Sequence, residues 1–292
     1  IAGVISAKLS GRVRQVFSDL PKGDTTRAQI LPAQSNARQL LIVKGPFEAT
    51  GVHLGHAVSI QRNSSIFPQM FLASQAFGKH RSFVGRLMKV VREIRGLNYG
   101  AYSYIEEFPR GGHLLTEPTQ VARQRQAFTV WARPSTLENG CFLARQVVRE
   151  FDQLAALGLT KAEFELGQSH TVGNVPLLGA GLERQLAYAI DAQFYGITGD
   201  YLKQLQQGAS KATRSQVNAS LSRHIQPNLM QMVVVTKDPA AFKAELLSPR
   251  CNIHYGAGVE KSKEILEEDE RIATYNVGIR ADQVKVIDSV EV

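Results

Sequence analysis

The stretch Phe83-Val84-Gly85-Arg86-Leu87-Met88-Lys89-Val90-Val91-Arg92-Glu93-Ile94-Arg95-Gly96-Leu97-Asn98-Tyr99-Gly100 decides the fold. Phe83, Leu87, Val90, Val91 and Ile94 recur at helical spacing. Gly96 stands where such a helix stops, because glycine enters left-handed backbone without a steric penalty. The pattern predicts an amphipathic helix that runs into a glycine stop and straight into a strand opened by Tyr99. Arg92 lies in the last turn, seven residues before Tyr99, so a reversal at Gly96 brings a guanidinium and a phenol to one side. Both donate hydrogen bonds to a carbonyl or an oxyanion, and neither serves as a metal-activated base. The competing reading is structural: Arg92 and Arg95 complement the helix C-terminal dipole, for ~0.3 to 1 kcal/mol each, while Tyr99 packs.

Upstream of this segment, Leu9, Val13, Val16, Phe17 and Leu20 mark a short amphipathic helix ended by Pro21-Lys22-Gly23-Asp24. Ile1-Ala2-Gly3-Val4 reads as the end of a strand entering that helix near Ser6, an abrupt start that suggests a missing upstream part. Leu40 to Lys44 and Thr50 to Ile60 read as strands, and Phe67 to Phe77 as a helix broken at Gly78-Lys79-His80-Arg81-Ser82. Downstream, Tyr99 to Phe108 and Ala127 to Ala132 are rich in aromatic and β-branched residues, with Gly111-Gly112 as a turn between them. Ser135-Thr136-Leu137-Glu138, Thr160-Lys161-Ala162-Glu163 and Thr213-Arg214-Ser215-Gln216 each carry the capping-box pattern that satisfies orphan helix amides, so several consecutive helices follow. A final strand at Met230 to Val235 leads through Asp238-Pro239 into a helix ending near Leu247, and residues 249 to 292 form a polar tail with one charged helix around Glu260 to Arg271. Strands near both ends, with helices between them that do not alternate regularly, favour an α+β domain over a doubly wound parallel sheet.

At 292 residues the chain has room for two domains, or one large one and an appendage. Hydrophobic residues at 43% and charged residues at 21% exclude a chain disordered by composition. No apolar run reaches the ~20 residues of a membrane-spanning helix. Cys141 and Cys251 are too far apart for a metal knuckle and read as small buried hydrophobes, with a bridge between them left open. The formal net charge of +8 is concentrated: the first hundred residues hold 14 basic and 4 acidic side chains. Such a field suits an acidic peptide or an acidic partner, and nucleic acid is not expected because no binding motif accompanies the charge.

No phosphate-cradle or nucleophile-elbow pattern occurs, and there is no H-x-x-E-H zinc motif. The nearest approach, His53-Leu54-Gly55-His56, lacks a glutamate and lies on an expected strand, where residues three apart point to opposite faces and cannot chelate one ion. His80, His113, His170, His224 and His254 are isolated from other ligands in sequence.

The segment from Arg86-Leu87 through Arg92-Glu93-Ile94-Arg95-Gly96-Leu97-Asn98-Tyr99-Gly100 resembles the C-terminal domain signature of the pitrilysin or insulinase-type zinc metallopeptidases, the inverzincins, whose most recognisable part is R-E-x-x-G-L-x-Y-G. Leu20-Pro21-Lys22-Gly23, the strand ending in Gly55, the Thr213 helix and Leu229 to Lys237 fall in that family's order, and the tail with Ile253-His254-Tyr255-Gly256, Glu267-Glu268-Asp269 and Val284-Lys285-Val286-Ile287 is similar to the C-terminal extension of bacterial members. The resemblance implies a mixed, largely antiparallel sheet with helices packed on one face, the LuxS/pitrilysin-type architecture. It implies such a domain over residues 1–248, with residues 249–292 as an extension packing on the domain or a partner. It further implies that Arg92 and Tyr99 are the catalytic and substrate-binding residues of this chain. They would reach an extended peptide near a zinc held by an H-x-x-E-H domain or subunit, where a glutamate acts as base.

On that reading this chain holds no metal or other cofactor and does not hydrolyse peptides alone. It is part of a zinc metalloendopeptidase; the sequence leaves its localisation unknown, with a bacterial periplasm or cytoplasm as the expected setting. Two departures stand out. Gly78 is followed by Lys79-His80-Arg81 where family members often have a second glycine, and the zinc motif is absent. The alternative implied by the same fold is a non-catalytic structural subunit.

Overall fold

The computed structural model describes residues 2–23, 28–106, 119–120 and 122–288. Among these residues six strands form one sheet: β1 (Gln39–Lys44), β2 (Thr50–Val58), β3 (Ala101–Tyr104), β4 (Gln126–Ser135), β5 (Gln231–Thr236) and β6 (Val284–Asp288), in the spatial order β3-β4-β2-β5-β1-β6. β2 runs antiparallel to β4 and β5, and β3 antiparallel to β4, whereas β1 is parallel to β5 and β6. The sheet is therefore mixed and largely antiparallel, and the fold is α+β.

Alternation along the strands assigns the two faces. Leu40, Ile42, Val52, Leu54, Phe128, Val130, Met232 and Val234 are buried under the helices α2 (Phe67–Gly78) and α3 (Gly140–Leu157) and their neighbours. Each fully buried side chain of this size contributes roughly 1.5 to 3 kcal/mol relative to exposure. Behind these lie α4 (Lys161–Leu178), α5 (Leu182–Phe194), α6 (Tyr201–Lys211) and α7 (Arg214–His224), with α8 (Pro239–Leu247) against β1. The other face carries a small buried cluster at its β3 end, where Met88, Tyr102 and Tyr104 pack with Trp131. Register places Tyr102, Trp131, His53, Val233, Leu41 and Lys285 in one row across all six strands on that face.

Local chemistry explains most helix boundaries. Thr160 and Thr213 form complete capping boxes with Glu163 and Gln216, and Asp238 caps α8 at the Ala241 amide with Pro239 at its first position. The third expected box does not form. Ser135 is the last residue of β4, and its hydroxyl donates to the Leu97 carbonyl at 2.7 Å. The chain then makes a 3-10 turn at Leu137–Asn139 before α3 begins at Gly140.

Four other expectations are corrected. The strand expected at Tyr99 begins at Ala101 and ends at Tyr104; residues 107 and 108 and the Gly111-Gly112 turn lie outside the described residues. The helix expected from Phe83 begins near Arg86 and winds as a π-helix over Met88–Glu93, leaving Phe83 exposed ahead of it. The strand at Met230 to Val235 is not the last, because β6 adds a sixth strand beside β1. Ala2 to Val4 is not in a strand; Ile1 lies outside the described residues.

The amphipathic helix α1 (Ala7–Ser18) forms, capped by Ser6 at the Leu9 amide, yet none of its residues is buried. In the tail, α9 (Lys263–Ala273) packs against α3. Cys141 and Cys251 are both buried, and they are joined in a disulfide across Cα atoms 5.7 Å apart. This is the bridge the sequence left open.

Candidate substrate-binding site

The helix of the signature is anchored at both ends by arginines. At its start, Arg86 donates from Nε and Nη2 to the two carboxylate oxygens of Glu163 at 2.7 and 2.8 Å, and to the Gly158 carbonyl at 2.7 Å. Burial alone would push the Glu163 carboxyl up, but the Arg86 guanidinium holds it below its ordinary value. At the other end the buried Arg95 donates to Asp269 at 2.7 Å and Glu268 at 2.8 Å on α9. Tyr255 also donates to Asp269, at 2.7 Å.

The widened π turn frees carbonyls that an α-helix would use. The Val90 oxygen accepts from Arg95 Nη1 and Gln146 Nε2, both at 3.0 Å, and the Ile94 oxygen accepts from Lys261 Nζ at 2.5 Å. Gly96, at φ +64°, then reverses the chain, with its amide on the Arg92 carbonyl and the Leu97 amide on the Val91 carbonyl. Ahead of the helix, Gly85 at φ +123° lies so close to Gly78 that a Cβ would sit 3.1 Å from the Gly78 Cα. Arg81 takes φ +48° in the loop that follows Gly78.

The reversal brings Arg92 and Tyr99 together as the spacing predicts. Arg92 Nη1 donates to the Tyr99 backbone carbonyl at 3.3 Å, and its guanidinium carbon lies 5.5 Å from the Tyr99 ring centre and 5.0 Å from that of Phe83. Tyr99 is 73% exposed and Phe83 68%. Among the described residues the Tyr99 hydroxyl has no hydrogen-bond partner. Of the signature arginines Arg86, Arg92 and Arg95, only Arg92 has no carboxylate within 4 Å among the described residues. The dipole role proposed for Arg95 is replaced by a buried ion-pair role. Tyr99 does not pack inside.

Sequence reasoning missed three residues here. Asn98 accepts from the Gly100 amide at 2.9 Å and donates to the Arg133 carbonyl at 2.7 Å, fixing the turn that carries Tyr99. Arg133 on β4 approaches the same ring, 5.6 Å from its centre. Phe83 is a stacking partner rather than a helix-face residue. A lone arginine closing the aromatic run Phe128 to Ala132 is the signal that could have marked Arg133.

The contacts of His56 and His80 are structural. His56 faces the helices while His53 faces the opposite side of β2, as expected for residues three apart. Burial lowers the affinity of His56 for a proton, and its ring bridges the Ala57 carbonyl at 2.9 Å and the Gln226 amide at 3.1 Å. His80 meets the Tyr104 hydroxyl at 2.8 Å, and His113 lies outside the described residues. Among the described residues one group gathers three metal-type donors, Cys141, Glu245 and Cys251, and its two sulfurs are spent in the disulfide.

A second charged cluster beside a cavity of about 400 Å³ is internally matched: Arg62 pairs with Glu106 and Asp191, both at 2.9 Å, under Tyr188 and Tyr201.

No family model and no curated protein matches this sequence. Solved structures do match. A peptidase M16 inactive domain from Pseudomonas fluorescens superposes with a TM-score of 0.63 at 24% identity over 79% of this chain and 51% of its own. A protease from Helicobacter pylori gives 0.62 at 14% identity over 80% and 53%. The first half of the periplasmic protease PqqL from Escherichia coli gives 0.60 at 12% identity over 92% and 54%. The chain thus spans about half the length of the structures it resembles. Its fold is that of these peptidase-family structures, in agreement with the architecture the sequence resemblance implies. No helix among the described residues is long and apolar enough to cross a membrane.

Proposed function

We propose that this chain is the substrate-binding, zinc-lacking half of a pitrilysin-type metallopeptidase, with residues 1–248 as the domain and 249–292 as an extension closing on it. The partner is an H-x-x-E-H domain or subunit, whose zinc supplies the hydrolytic chemistry. The observation that carries this reading is the exposed juxtaposition of Arg92 with Tyr99. Arg86 and Arg95 are neutralised by carboxylates, whereas Arg92 has no carboxylate within 4 Å among the described residues. An extended peptide passing this corner presents carbonyl oxygens to a guanidinium and a phenol. Those donors bind the ground state weakly and a developing oxyanion more strongly, which is the requirement for lowering a barrier.

The test is reconstitution with the zinc-bearing half and a fluorogenic peptide. Neither half alone should cleave it, and the mixture should cleave in a chelator-sensitive way. Association without stimulated cleavage contradicts this reading and favours a structural subunit.

A further inference from the structure

We infer that Arg133 is a second cation of the Arg92/Tyr99 site and that this site selects peptides carrying a carboxylate. The inference rests on the peptide-binding reading above and adds a substrate class to it. Arg133 is held in place by its own backbone: its amide donates to the Gly100 carbonyl at 3.0 Å, and its carbonyl accepts from Asn98 Nδ2 at 2.7 Å. The residues on both sides of Tyr99 therefore clamp Arg133, and its side chain leaves β4 on the same face as Trp131, with its guanidinium 5.6 Å from the Tyr99 ring centre. Arg92 approaches the same ring from the helix.

Two like charges beside one exposed ring repel each other unless something opposes them. Arg38, Arg62, Arg86, Arg95, Arg149, Arg250 and Arg280 each have a carboxylate within 4 Å, whereas neither Arg92 nor Arg133 has one among the described residues. The two guanidiniums thus lie 5.5 and 5.6 Å from the centre of one phenol ring, a local concentration of positive charge. A carboxylate is the peptide group that matches this charge, since a guanidinium gives it charge-assisted hydrogen bonds stronger than those to a neutral amide. Exposed Phe83 under Arg92 adds an apolar wall for the neighbouring side chain.

The probes are three fluorescein-labelled extended decapeptides of otherwise identical sequence: one with an internal Glu and an amidated end, one with Gln in its place and a free C-terminal carboxylate, and one with Gln and an amidated end. Anisotropy titrations with the full chain should show at least one carboxylate peptide binding about tenfold tighter than the neutral one, with the gap shrinking as salt rises. Whichever peptide gains reveals whether the side chain or the terminus is read. Arg133→Gln should abolish the gap between the carboxylate and neutral peptides, and Arg133→Lys should retain part of it. Circular dichroism melting confirms that both variants fold. An unchanged gap in Arg133→Gln, or no gap in the wild type while the neutral peptide still binds, overturns the inference and leaves the peptide-binding reading standing. Failure of all three peptides to bind the wild type overturns both.

Discussion

Arg95 Nε donates to Asp269 Oδ1 at 2.7 Å, a buried bond between the helix that presents Arg92 and the last helix of the tail. With Glu268 beside it, the same guanidinium fixes the site from behind. Removing one partner of such a pair leaves buried charge uncompensated, which costs about 3 to 5 kcal/mol. Arg95→Met should therefore lower the unfolding free energy obtained from urea denaturation by an amount in that range. A loss below about 1 kcal/mol would contradict the anchoring role, on the scale of exposed pairs.

His56 gives stability a defined dependence on pH. Its folded-state affinity for protons is lowered by burial, and protonation of Nε2 would break the bond from the Gln226 amide. The unfolded chain then binds the proton more readily, near its ordinary value of 6.5. Stability contributed by neutral His56 is present above that value and is lost as pH falls from it toward the lower folded value. In His56→Gln, denaturation curves between pH 7 and pH 5 should vary less with pH than in the wild type. An identical slope sinks the assignment.

Gly96 at φ +64° should resist substitution for a backbone reason alone, since a Cβ there meets no atom within 4 Å. Gly96→Ala is expected to cost about 1 to 2 kcal/mol, the steric penalty of left-handed backbone for an L-residue. Gly96→Asn should cost less, because asparagine tolerates that region. Equal stability of all three proteins by thermal melting would show that the reversal is not held at this φ.

The disulfide between Cys141 and Cys251 spans 110 residues of sequence. In the chain-entropy description a closed loop of roughly that length is worth about 4.7 kcal/mol through the unfolded state. Cys251→Ser should accordingly lower stability by several kcal/mol in non-reducing buffer and abolish sensitivity to dithiothreitol. A variant as stable as the oxidised wild type would contradict it.

Much of this organisation was readable because it depends on local chemistry. The Thr160 and Thr213 boxes, the Asp238-Pro239 start and the Gly96 stop are short-range devices, and each forms. The Arg92 and Tyr99 juxtaposition was readable for the same reason, since seven residues and one glycine determine it. What escaped depends on distant partners. Ser135 has the capping pattern but belongs to a strand whose position is set by β2 and β3, so its hydroxyl turns to Leu97. The π winding answers to Gln146, more than fifty residues away by chain order. β6 is largely exposed and has no strong apolar pattern, because it lies at the edge beside β1. Arg133 enters the site only through the pairing of β3 with β4.

The most direct test is the kcat/KM for peptide cleavage of this chain, carrying Arg92→Ala or Tyr99→Phe, reconstituted with the proposed zinc-bearing half. Loss of a donor to a developing oxyanion predicts a fall of about 10²- to 10³-fold, with zinc content and assembly unchanged. Turnover equal to wild type in both variants would contradict the account.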